Sequence, residues 1–137
     1  MKIAIVVADF NSEITTPMLR RAIAHATALK AEITHTVHVF GIYDMPTIVK
    51  RLLGRWDVDG VVMIGAVIKG ETLHDEVIAH AIANIAAKLA VQFDKPVGLG
   101  ITGPGMTDEQ AAERIDNARN AVEAVVRVAN VLKDLGE

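Results

Sequence analysis

The chain contains no cysteine. That excludes a disulfide framework, a thiolate nucleophile and a cysteine-based metal site, and it leaves the redox compartment open. A block of lysine or arginine is missing too: 14 basic residues stand against 17 acidic ones, for a formal charge of −3. Without that electrostatic footprint, neither nucleic acid nor an anionic membrane is an expected partner, and a small molecule or another copy of the chain is. The opening "MKIAIVVADFNSE" meets Asp9 too soon to hold a secretory core or a membrane span, so a cytoplasmic protein with no membrane anchor is expected.

What the chain does have is aliphatic residue. Hydrophobic residues make up 51% of 137, with a mean hydropathy of +0.32, which is rich for one small domain with a large surface fraction. Residues 1–137 are expected to form a single domain with buried subunit contacts. Two helical stretches, "AIANIAAKLAVQ" and "AVEAVVRVANVL", are apolar over more than one stripe, and subunit packing would cover them.

Strand and helix signals alternate along the chain. "IAIVV" at residues 3–7 is a β-branched run suited to a strand buried on both faces, and Thr16-Pro17 reads as an N-cap before a helix of about residues 17–30. "EITHTVHVFG" alternates Ile33, Val37 and Val39 with polar residues, as a strand at a sheet edge does, and Asp44 and Pro46 open a short helix through "TIVKRLL". "GVVMIGAVI" is a second buried strand, followed by a helix with Val77, Ile78, Ala81, Ile82, Ile85, Ala86 and Leu89 at helical spacing; Thr72 and Asp75 resemble its capping box. "KPVGLGI" gives the fourth strand, and after a loop a Thr107-to-Gln110 capping box opens a terminal helix to about Leu135. Four βα units predict a parallel four-stranded sheet in a three-layer α/β/α sandwich, with ligands beyond the carboxyl ends of the strands.

The unusual residues collect in those loops: Phe10 and Asn11, Gly41 to Asp44, Ala66 to His74, and Thr102 onward. Gly70 and Thr72 would present a helix N-terminus to an anion such as phosphate, although the same residues also start helices that bind nothing. His74 falls in the first turn beside that anion, with an intrinsic pKa suited to proton transfer; His25, His35, His38 and His80 are the ordinary histidines against which it is weighed. Phe10 either lies against a planar ring or caps the core. Arg114 either clamps a phosphate or is solvated near Glu113 and Asp116. No histidine–carboxylate spacing fits a metal, and none is expected.

Taken together, "ADFNSEIT", "GIYDMP", "VVMIGAVIKGETLHDEV" and "KPVGLGITGPGMTDEQAAERI" resemble the 6,7-dimethyl-8-ribityllumazine synthases, most of all their archaeal branch, over nearly the whole chain. The resemblance implies a flavodoxin-like fold and a transferase of riboflavin biosynthesis. Its reaction condenses 5-amino-6-(D-ribitylamino)uracil with 3,4-dihydroxy-2-butanone 4-phosphate, with no metal or organic cofactor. Carried over by residue, it places Phe10 on the pyrimidine, with Asn11 also among the substrate-binding residues. Ile42, Tyr43 and Asp44 would hold the ribityl chain, and Ala66, Val67 and Ile68 would read the pyrimidine edge. Glu71 and Thr72 would cradle the phosphate, and His74 would donate the proton. Leu99 and Arg114 would reach a neighbour's site, in a pentamer or an icosahedral shell of pentamers with shared active sites.

The chain departs from the family pattern where many members have Glu for Asp44, Phe for Leu99, and a glycine-asparagine-lysine stretch for "NARNAVEA". Arg119 and Asn120 are the available substitutes for that lysine. The short stretch before the first strand implies that the tail bridging neighbours in many shell-forming members is short or absent. Three rivals are weaker. A riboflavin synthase of archaeal type uses no phosphorylated substrate, so "GETLHDE" would lack a purpose; a non-catalytic flavin- or lumazine-binding shell would not depend on His74; and a flavodoxin-like signalling module would want an aspartate where Gly65-Ala66 stands.

Overall fold

The computed structural model describes residues 1–68 and 74–136. Its strands are β1 (Lys2–Ala8), β2 (Glu32–Val39), β3 (Gly60–Ile68) and β4 (Val97–Met106). They form one sheet in the order β2-β1-β3-β4, and every pairing is parallel. The helices are α1 (Ser12–Ala28), α2 (Met45–Leu53), α3 (His74–Phe93), α4 (Asp108–Glu113) and α5 (Asn117–Leu135).

Successive side chains of a strand point to opposite faces, so a run of Val and Ile supplies two cores at once. Ile3, Ile5, Val62 and Ile64 meet Met18 and Ala22 of α1 and Ala121, Val122 and Val125 of α5. Ala4, Val6, Val61 and Met63 meet Met45, Val49 and Leu53 of α2 and Ile82, Ala86 and Leu89 of α3. The result is the expected three-layer α/β/α sandwich of flavodoxin-like type, with β2 at an edge as its alternating pattern implies. Each fully buried Val or Ile contributes on the order of 1.5–3 kcal/mol relative to exposure.

Three boundaries differ from the sequence reading. The first helix starts at Ser12 and carries Pro17 inside it. Asn11 takes a left-handed conformation, φ 64°, which Asn tolerates better than most residues, and its carbonyl accepts the N–H groups of Ile14 and Thr15 at 2.9 and 3.0 Å. The terminal helix is two helices, α4 and α5, separated by a turn at Arg114 to Asp116. The Thr107–Gln110 box before α4 does form, with Thr107 N–H donating to Gln110 Oε1 at 3.1 Å and Gln110 N–H to Thr107 Oγ1 at 3.2 Å. Finally, β4 runs on past Ile101 to Met106. Gly103, at φ 107°, makes this possible, because a Cβ there would lie 2.4 Å from the Val67 carbonyl oxygen.

Outward faces of the helices remain apolar. Val77, Ile85 and Val91 of α3 and Val128, Val131 and Leu135 of α5 are exposed, and α3 is long and apolar enough to cross a membrane by length and composition.

Candidate active site

β1 and β2 leave the sheet in step. Ala8 pairs with Val39, and the ladder continues beyond both strands as Asp9 N–H donates to Val39 O at 2.8 Å and Phe10 N–H to Phe40 O at 3.0 Å. Phe10 and Phe40 therefore stand side by side, ring centroids 6.1 Å apart and tilted by 57°. Just before them, Asp9 Oδ1 and His38 Nδ1 are 2.7 Å apart.

After Phe40 the chain turns at Gly41 into a single 3₁₀ turn, Ile42–Asp44. The Asp44 carboxylate accepts the Gly41 N–H at 3.0 Å and so fixes the turn it ends. Ile42 is buried in the core of the α2–α3 face, while Tyr43 is exposed. From the other side Asn11 Nδ2 donates to the Ala66 carbonyl at 3.1 Å, joining the β1 loop to the end of β3.

These loops and the start of α3 enclose a cavity of about 500 Å³ at the carboxyl edge of the sheet. Phe10, Phe40, Ile42, Ala66, Val67 and Ile78 give it apolar walls, and Asn11, Tyr43, Asp44, His74 and Asp75 supply its polar groups. The positive end of the α3 dipole opens at His74, which favours a negative charge nearby. Such a space can take a flat ring with a polar chain and pass a proton through His74. Among the described residues, no group of three His, Asp or Glu side chains is placed to hold a metal ion.

The family model for 6,7-dimethyl-8-ribityllumazine synthase matches residues 1–133. The chain belongs to this family. The 6,7-dimethyl-8-ribityllumazine synthase of Staphylothermus marinus is 53% identical over 137 residues, covering 99% of this chain and 91% of that protein. Those of Metallosphaera sedula and Methanococcus aeolicus are 51% and 50% identical, covering 100% and 98% of this chain and 91% and 99% of their own length.

Of the residues to which the lumazine synthase pattern points, Phe10, Asn11, Ile42, Tyr43, Asp44, Ala66, Val67, Ile68 and His74 line this one cavity. Glu71 and Thr72, together with Gly70 and the Thr72–Asp75 capping pair, lie outside the described residues. Leu99 pairs with Met63 and is 47% exposed on β4, whereas Arg114 is exposed at the α4–α5 turn; neither lines the cavity. Arg119 and Asn120 are exposed on α5 and bond to each other, Nη1 to Oδ1 at 3.4 Å.

Three lining residues were missed. Phe40 reads as the last residue of a strand, yet an aromatic just before the glycine that ends β2 repeats the placement of Phe10 after β1. Ile78 reads as one more apolar helix position, although it falls one turn beyond His74 on the same helix face. Asp75 reads as half of a cap; its burial, at 8% exposed, has no signal in the sequence.

Proposed function

We propose that this protein condenses 5-amino-6-(D-ribitylamino)uracil with 3,4-dihydroxy-2-butanone 4-phosphate to 6,7-dimethyl-8-ribityllumazine, releasing inorganic phosphate and water. Family membership supports the reaction, and the observation that carries the site is the single cavity joining Phe10, the Ile42–Asp44 turn, the end of β3 and His74. The substrate amine is itself the nucleophile and forms an imine with the ketone, so the protein need supply no covalent group. Holding the two substrates together contributes up to about 7–11 kcal/mol of the barrier, and a placed general acid a further ~10²–10⁴-fold in rate.

In this reading Phe10 stacks on the pyrimidine, Asn11 helps shape the substrate pocket, and Ile42 to Asp44 hold the ribityl chain. Ala66 to Ile68 meet the pyrimidine edge, Glu71 and Thr72 take the phosphate, and His74 moves the proton. The Ala66 carbonyl already accepts one hydrogen bond from Asn11, which fixes its direction. Leu99 and Arg114 serve a neighbouring chain's cavity, in a pentamer or a shell of pentamers. Their exposure and the apolar outer faces of α3 and α5 support that assembly.

The test is to mix the purified protein with both substrates and follow lumazine fluorescence together with phosphate release. Equal, protein-dependent amounts of both are expected. Tight pyrimidine binding without turnover would sink the catalytic reading.

A further inference from the structure

We infer that Phe40 is a second ring-binding residue of this site, forming with Phe10 one aromatic corner against which the heterocycle of substrate and product lies. The inference rests on the function proposed above and adds a residue to it. Only five of the 137 residues are aromatic, and three of them, Phe10, Phe40 and Tyr43, line the same cavity. Phe40 is 76% and Phe10 61% exposed, so their mutual contact leaves most of both rings open to a ligand.

The geometry decides how a ring can sit. A planar ligand between two parallel phenyl rings needs about 3.5–4.0 Å on each side, hence some 7–8 Å between them. At 6.1 Å and 57° the two rings are too close and too tilted for such a sandwich. They form two sides of a corner, so a heterocycle lying on one ring meets the edge or face of the other, an arrangement aromatic pairs favour.

The corner is held from below. The Phe10 N–H to Phe40 O bond fixes the two backbones at 3.0 Å, and the Asp9–His38 contact at 2.7 Å spans the same strand ends one step earlier. The two backbones that carry the rings are thus set before a ligand arrives, and less of the interaction is spent on ordering the loops.

The experiment titrates the full chain with 6,7-dimethyl-8-ribityllumazine, using the ligand's fluorescence, for wild type, Phe40→Ala, Phe40→Leu and Phe40→Tyr. KM for each substrate is then measured separately. Phe40→Ala is expected to raise the lumazine Kd and the KM for the uracil substrate about 3- to 10-fold, the worth of one aromatic contact. KM for the butanone phosphate should not move. Phe40→Leu should follow Phe40→Ala, and Phe40→Tyr should bind as wild type does. Should Phe40→Ala fail to fold, the contrast between Leu and Tyr carries the same test. Unchanged binding in Phe40→Leu, equal rises in both KM values, or a wild type that binds no lumazine would each overturn the inference. Binding needs no turnover, so a wild type that binds lumazine without making it refutes the reaction alone, while turnover that is indifferent to Phe40 refutes only this corner.

Discussion

Gly65→Ala is the smallest change that should disturb fold and site together. A Cβ at Gly65 would lie 2.7 Å from Cγ1 and 2.8 Å from Cδ1 of Ile42, and 3.2 Å from Cδ1 of Ile101. Ile42 is buried, so its side chain must either swing towards the cavity or draw the 42–44 turn away from β3. Overpacking of this kind costs about 1–3 kcal/mol. At roughly 3–5 °C per kcal/mol for a chain this size, Tm should fall by roughly 3–15 °C. Both escapes move the wall proposed to hold the ribityl chain, so KM for the uracil substrate should rise while KM for the phosphate substrate stays. Gly54→Ala is the control, because a Cβ there meets nothing nearer than 3.6 Å. Calorimetry and steady-state kinetics on both variants give the answer. A Gly65→Ala protein with wild-type Tm and KM would refute the claim that β3 approaches the turn too closely for a side chain.

Other perturbations separate the roles of single groups. His74→Ala should lower kcat by about 10²–10⁴-fold without abolishing turnover; complete loss in a folded protein would contradict a proton-shuttle role. Glu123 titrates below its ordinary value of 4.5, chiefly because His25 hydrogen-bonds to it and then because Arg127 does. A depressed carboxyl contributes stability above its unfolded pKa and loses it as pH falls through the folded one. Glu123→Gln should therefore lower Tm near neutral pH and do so progressively less as the pH falls through the folded carboxyl's lowered titration, and an equal loss across that whole range would refute the linkage. If the proposed pentamer forms, Leu99→Asp should lower its mass in analytical ultracentrifugation and reduce activity; unchanged mass and rate would remove Leu99 from the proposed subunit contact.

The layers were legible because strands buried on both faces read as β-branched runs whatever their partners. "IAIVV" and "GVVMIGAVI" became the two central strands, β1 and β3. Helix starts were less legible, because the local rule at Thr16-Pro17 competes with a contact from far away. Asn11 holds its left-handed turn while bonded to Ala66, 55 residues on, and Ile14 and Met18 bury themselves on the sheet ahead of and beyond the proline. The α4–α5 turn also answers to distant contacts: Ala118, Ala121 and Val122 must meet the core, and Asp116, in the turn, pairs at the surface with Arg21, 95 residues earlier. Candidate residues in loops beyond strand ends could be grouped from the sequence because chain order puts them at one edge of the sheet, where they line one cavity. Phe40 escaped because its place beside Phe10 is a matter of register between two strands.

Register has a consequence for catalysis. Three segments are keyed to the carboxyl ends of β1 and β3 by contacts that require no ligand: Asn11 on Ala66, Ile42 against Gly65, and Phe40 on Phe10. A reaction driven by proximity gains most when the walls are set before substrate binds, since every ångström of misplacement forfeits part of the advantage. In a strand, a slip of one residue sends every side chain to the other face. Between β1 and β2 such a slip would separate Phe40 from Phe10 and Asp9 from His38 together. The apolar pairs that help hold this register, Ile3 with Ile33, Val6 with Val37 and Ala8 with Val39, thus serve the proposed site as well as the fold.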